Sequence, residues 1–89
     1  MMVRDVTIIN RLGLHARAAT RLVNCASGFK AEVLLKKDAR SVNGKSIMGV
    51  LTLAAATGTE LTIETRRDDE QLAMDALIQL INNRFGEDE

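Results

Sequence analysis

Two hydrophobic periods alternate along this chain, and their order limits its fold more than any other feature. Val3 to Ile9 is β-branched, with Val6 and Ile8 on one side and Thr7 on the other, the two-residue period of a strand. Ala19, Leu22, Val23 and Ala26 then fall at i, i+3, i+4 and i+7. They form the apolar face of a helix over 16–27, with Arg17, Thr20, Arg21 and Asn24 opposite. Gly28 is expected to stop that helix, with Phe29 folding back on its last turn in a Schellman contact. Alternation returns over 31–36, where Ala31, Val33 and Leu35 point inward. Lys36 to Ala39 reads as a turn into a short third strand over 40–42, broken by Asn43-Gly44. Ser46 then suits an N-cap before Ile47-Met48-Gly49-Val50-Leu51. Val50 to Leu53 also fits a strand, but Ala54-Ala55-Ala56 favours a short helix. Thr57-Gly58 turns into a fourth strand over 60–65 with Leu61 and Ile63 inward. Asp68, with Gln71 three residues on, reads as an acidic capping box for a last helix. Its stripe is Ala73, Leu77, Leu80, Ile81 and Phe85, and Gly86 to Glu89 is expected to fray.

The order is βαββαβα within 89 residues that contain no proline. The whole span, 1–89, reads as one small α+β domain with a single two-layer core. Helices on one face of a four-stranded, mainly antiparallel sheet would bury every apolar face. The other face falls to Thr7, Glu32, Lys36, Thr62 and Glu64, which suits water, with Leu34 the exception.

Composition removes several function classes. Twelve basic residues balance twelve acidic ones, and the only aromatics are Phe29 and Phe85, so neither a basic stripe nor a stacking platform for nucleic acid is present. Cys25 is alone, which excludes an internal disulfide and fits a reducing compartment. The first residues lack the apolar core of a signal peptide, and no run approaches a membrane span, so a cytoplasmic location is expected. One histidine and one cysteine do not make a zinc site, and no other cofactor is implied. Gly44-Lys45-Ser46 resembles part of a phosphate loop, but that pattern needs glycine at the position of Ala39.

His15 is the remaining candidate for chemistry. It lies in Gly13-Leu14-His15-Ala16-Arg17, directly at the start of the first helix. Free N–H groups and the positive dipole end there favour an anion and disfavour an imidazolium. The position is therefore expected to bias the ring toward its neutral, nucleophilic form. The same N–H groups and Arg17 can hold the oxygens of a phosphoryl group once it is attached. Each residue also has a plainer reading: His15 as a cap, Arg17 as a solvated helix residue, Ser46 as an N-cap, and Ile47, Met48 and Leu51 as core.

The motifs Asn10-Arg11-Leu12-Gly13-Leu14-His15-Ala16-Arg17 and Asn43-Gly44-Lys45-Ser46-Ile47-Met48-Gly49-Val50, at these places in a βαββαβα chain, resemble the histidine-containing phosphocarrier (HPr) family. The resemblance covers nearly the whole chain and implies an open-faced β-sandwich. It implies that His15 accepts phosphoryl through Nδ1 from phosphorylated enzyme I of the phosphoenolpyruvate-dependent phosphotransferase system and passes it to a IIA-type acceptor. It further implies that Arg17 neutralises phosphoryl charge and that Ser46 is the regulatory site of a kinase/phosphorylase. The family reads His-x-Arg-Pro-Ala, whereas this chain has Ala18 at the proline position. Alanine restores a backbone donor and some freedom, yet favours the helix.

Partners are then expected to dock where the two helix starts meet. Thr20, Arg21, Asn24 and Lys45 would form the basic and polar rim around Arg17, with Ile47, Met48 and Leu51 as an apolar centre. This describes a carrier rather than an enzyme, working as a monomer. A nitrogen-branch regulatory carrier is the near alternative, against which the intact Gly44-Lys45-Ser46-Ile47-Met48 argues. A small-molecule-sensing or plain interaction domain is the distant one, and it gives no reason for His15, Arg17 and Ser46 to lie at two helix starts.

Overall fold

The computed structural model describes residues 1–89. The alternating segments form strands β1 (Met2–Thr7), β2 (Glu32–Lys37), β3 (Arg40–Asn43) and β4 (Glu60–Arg66). The helical periods form α1 (Ala16–Ser27), α2 (Ile47–Thr52) and α3 (Glu70–Asn82), followed by a single 3-10 turn at Arg84–Gly86. The sheet runs β1-β4-β2-β3, every neighbouring pair antiparallel. Val6 pairs with Leu61, and Leu35 with Ile63, so their side chains share one face. Against it lie Ala19, Leu22 and Ala26 of α1, Val50 of α2, and Met74, Leu77 and Ile81 of α3, in one continuous core of 18 residues. Full burial of each large aliphatic side chain contributes about 1.5–3 kcal/mol, and this layer holds the helix starts in place. The βαββαβα open-faced sandwich is the fold expected.

The ambiguous segment after Ser46 is helical. The Ser46 hydroxyl accepts from the Gly49 N–H at 3.1 Å, the bond that defines an N-cap, and Val50 alone of the helix is fully buried. Alanine at position 18 does not disturb α1, which begins at Ala16 with Ala18 wholly buried against the core.

Four local expectations change. Gly28 has a right-handed φ of −75°, so α1 ends in tightened bonds from the Gly28 and Phe29 N–H groups to Cys25 and Ala26 rather than in a Schellman turn. The last helix starts at Glu70 after Asp69, not at an Asp68/Gln71 box. Asp69 uses its carboxylate elsewhere, accepting from the Lys30 and Ala31 N–H groups at 3.2 and 2.9 Å and tying the α1–β2 connection to α3. Burial works against that charge, but the two N–H groups hold the Asp69 carboxyl below its ordinary range. Glu64 faces away from the helices yet is only 3% exposed, because Lys36 at 2.6 Å and Arg66 at 2.5 Å close over it. The tail does not fray. Arg84, Phe85 and Gly86 take left-handed φ values of 55°, 55° and 79°, which turn the chain back over the start of α1 with Phe85 buried.

Candidate functional site

His15 is the N-cap of α1. Its backbone is extended (φ −75°, ψ −179°), and its Nδ1 accepts from the Arg17 N–H at 3.3 Å. The site's chemistry therefore begins from a nitrogen already turned toward free helix-start donors. Gly13 makes the approach possible. It has φ +69°, and a Cβ there would stand 2.7 Å from the Ala55 carbonyl oxygen, the same oxygen that accepts from the Leu14 N–H at 2.8 Å. A glycine at this point lets the loop lie directly on the α2–β4 connection and fixes the start of α1.

The other ring nitrogen has a partner that sequence reading missed. Nε2 lies 2.6 Å from Oε2 of Glu87, and the Asn10 amide donates to Oε1 of the same carboxylate at 2.9 Å. Asn10 is fully buried and also donates to the Gly13 carbonyl at 2.8 Å, so it joins the loop to the tail. The Asn10 amide, and after it His15, keep the Glu87 carboxyl below its ordinary range despite partial burial. Nothing local in the sequence couples residues 72 positions apart. The one available signal was an acidic tail in a chain whose only histidine stands at a helix start.

Arg17 and Arg21 are both exposed on the outward face of α1, as are Thr20 and Asn24. Arg17 and Arg21, with Arg11, Leu12 and residues 86–89, line an open cleft of about 460 Å³. Arg21 donates to the Phe85 carbonyl, and Arg11 meets the Glu89 carboxylate at 2.6 Å, so of the cleft's three guanidiniums only that of Arg17 is unpaired. The Thr20 hydroxyl is turned onto the Ala16 carbonyl at 2.8 Å.

The second helix start contributes the apolar part. Ile47 and Met48 are exposed, at 37% and 70%, whereas Leu51 is half-buried and packs on the core. The core reading of Ile47 and Met48 is therefore wrong, and Leu51 belongs to both environments. The Lys45 ammonium is bound to the Phe29 carbonyl at 2.7 Å, which links the end of α1 to the start of α2 rather than leaving that charge free. Cys25 is half-buried, and burial pushes its thiol up, away from a reactive thiolate. No group of three or more potential metal ligands occurs, and no helix is long and apolar enough to cross a membrane.

Comparisons with known proteins identify the family and the fold. The model of the PTS HPr component phosphorylation site matches residues 2–83. The phosphocarrier protein HPr of Cupriavidus necator is 55% identical over the full length of both chains, and that of Neisseria meningitidis serogroup A is 53% identical, again over both whole chains. The crystal structure of HPr-C-His from Thermoanaerobacter tengcongensis superposes with a TM-score of 0.97 at 39% identity, covering all of both chains. With its fold and its full length both matched, this chain belongs to the HPr family of the phosphotransferase system, a family of phosphocarriers rather than enzymes.

Proposed function

We propose that His15 takes a phosphoryl group onto Nδ1 from phosphorylated enzyme I and delivers it to a IIA-type acceptor. The observation that carries this reading is the pairing of the ring nitrogens. Nε2 is engaged by Glu87, while Nδ1 has only a long contact to a helix-start N–H. An arriving phosphorus can displace that weak contact, and the released N–H, together with Arg17, then faces the phosphoryl oxygens. Arg17 neutralises charge during transfer. Partners dock on the rim of Thr20, Arg21 and Asn24 and on exposed Ile47 and Met48, with Leu51 and Lys45 supporting that surface from behind.

Ser46 serves as the regulatory site of a serine kinase/phosphorylase. Its hydroxyl caps α2 one residue from Ile47, so a phosphate there would sit among free N–H groups at the edge of the docking surface. The intact segment around Ser46 favours the sugar branch of the system over the nitrogen branch. Every residue assigned a role lies on one chain, so a cytoplasmic monomer suffices.

Labelled phosphoenolpyruvate with enzyme I tests the central step. The unaltered chain is expected to gain an acid-labile label, and His15→Ala to fold and gain none. Undiminished labelling of His15→Ala overturns the reading.

A further inference from the structure

The phosphocarrier reading leaves open what selects the reactive nitrogen, and this inference rests on that reading. An N–H can donate only to a ring nitrogen without a proton, and Arg17 donates to Nδ1. A carboxylate oxygen 2.6 Å from Nε2 needs a proton between them. Only the ring form with its proton on Nε2 satisfies both contacts. The carboxylate is itself held, because the buried Asn10 amide binds its second oxygen and the left-handed turn at 84–86 brings the backbone into range. The Arg21 guanidinium anchors that turn at the Phe85 carbonyl.

We propose that Glu87, oriented by Asn10, is a positioning residue for His15, keeping the proton on Nε2 and the lone pair on Nδ1. During transfer the Nδ1 lone pair forms the new N–P bond while the donor's bond to phosphorus breaks and its electron pair leaves with the donor. The Nε2 proton stays in place, and the ring gains a positive charge that faces the Glu87 carboxylate. On delivery, the N–P pair returns to Nδ1 and the charge disappears. No proton has to enter or leave the ring in either direction, which suits a readily reversible carrier.

The test compares the unaltered chain with Glu87→Ala and Glu87→Gln, two changes on a surface tail that leave the core untouched. Ring-nitrogen NMR of the unphosphorylated chain should show a slowly exchanging, downfield proton on Nε2 and an unprotonated Nδ1. Glu87→Ala should lose that slow exchange. Its maximal rate of phosphoryl uptake from enzyme I should fall about fivefold, a charge-assisted contact discounted for partial exposure, with KM for enzyme I unchanged. Glu87→Gln, which keeps an acceptor oxygen, should restore the Nε2 signal and recover most of the rate, to within about twofold. An unaltered chain without the Nε2 signal, or Glu87→Ala with undiminished uptake, overturns this inference alone. A loss in Glu87→Ala that appears only in KM assigns Glu87 to docking and likewise overturns it. An unaltered chain that takes no label overturns the parent reading and this inference with it.

Discussion

Replacing Gly13 with alanine should damage this protein more than any other single-methyl change in its loops. The residue has φ +69°, where alanine costs about 1–2 kcal/mol relative to its preferred conformations. The new Cβ would also stand 2.7 Å from the Ala55 carbonyl oxygen and 2.9 Å from the Ala56 Cα, both of them backbone atoms that cannot swing aside. Relief requires the loop to lift, which breaks the Leu14 N–H bond to Ala55 and adds about 1–3 kcal/mol for buried groups left unpaired. The sum, about 2–5 kcal/mol, corresponds to a fall in Tm of roughly 8–40 °C for a domain of this size. Gly58→Ala is the internal control, since φ is +87° but nothing lies within 4 Å of its added Cβ. It should lose only the conformational part, about 1–2 kcal/mol. Thermal unfolding followed by circular dichroism measures both. Equal losses in the two variants would refute the clash argument, and a Gly13→Ala chain with unchanged Tm would refute the loop geometry itself.

Arg17→Glu should shift Tm little, the side chain being exposed and unpaired, while slowing transfer from enzyme I by more than about tenfold, because a repulsive charge replaces a phosphoryl contact. Wild-type kinetics would reduce Arg17 to a solvated side chain. Ser46→Asp should keep or raise stability, since aspartate caps helices as well as serine does, whereas Ser46→Ala should lose about 1 kcal/mol. The aspartate variant should also transfer more slowly, with partial rescue by salt; a clear loss of stability would instead break the N-cap assignment. Glu64 is held below its ordinary value of 4.5 by hydrogen bonds from Lys36 and then Arg66. Its contribution to stability is therefore complete above that value and lost as pH falls through the lower folded one, so denaturant unfolding in a pH series should weaken on the acid side, and less steeply in Glu64→Gln.

The readable parts of the sequence were those in which cause and effect are close together in the chain. The α1 boundaries follow from its apolar spacing and Gly28, and the Ser46 cap from a hydroxyl three residues from its donor. Local patterning could not reveal pairings between distant segments. Asp68 and Asp69 look alike as caps until the Lys30 and Ala31 N–H groups, some 38 residues away, claim Asp69. Glu64 reads as a water-facing strand residue until Lys36 and Arg66 close over it. At the site, His15 and Arg17 were visible because both sit within one helix turn, but Asn10 and Glu87 were not. Residue type alone would put Ile47 and Met48 in the core; their expected place in an exposed apolar patch agrees with the six-residue helix, which buries only Val50 fully.

The strand order leaves β1 and β3 as the two free edges, and their character bears on life in a crowded cell. An open sheet with unpaired backbone groups along its rim invites any extended stranger to zip on as another strand. Here one rim is only four residues long, and the other presents Arg4 and Asp5 at its middle. Such rims resist sticky encounters. A phosphocarrier with such rims leaves the proposed docking surface, at one end of the helical layer, as the place where partners would meet it.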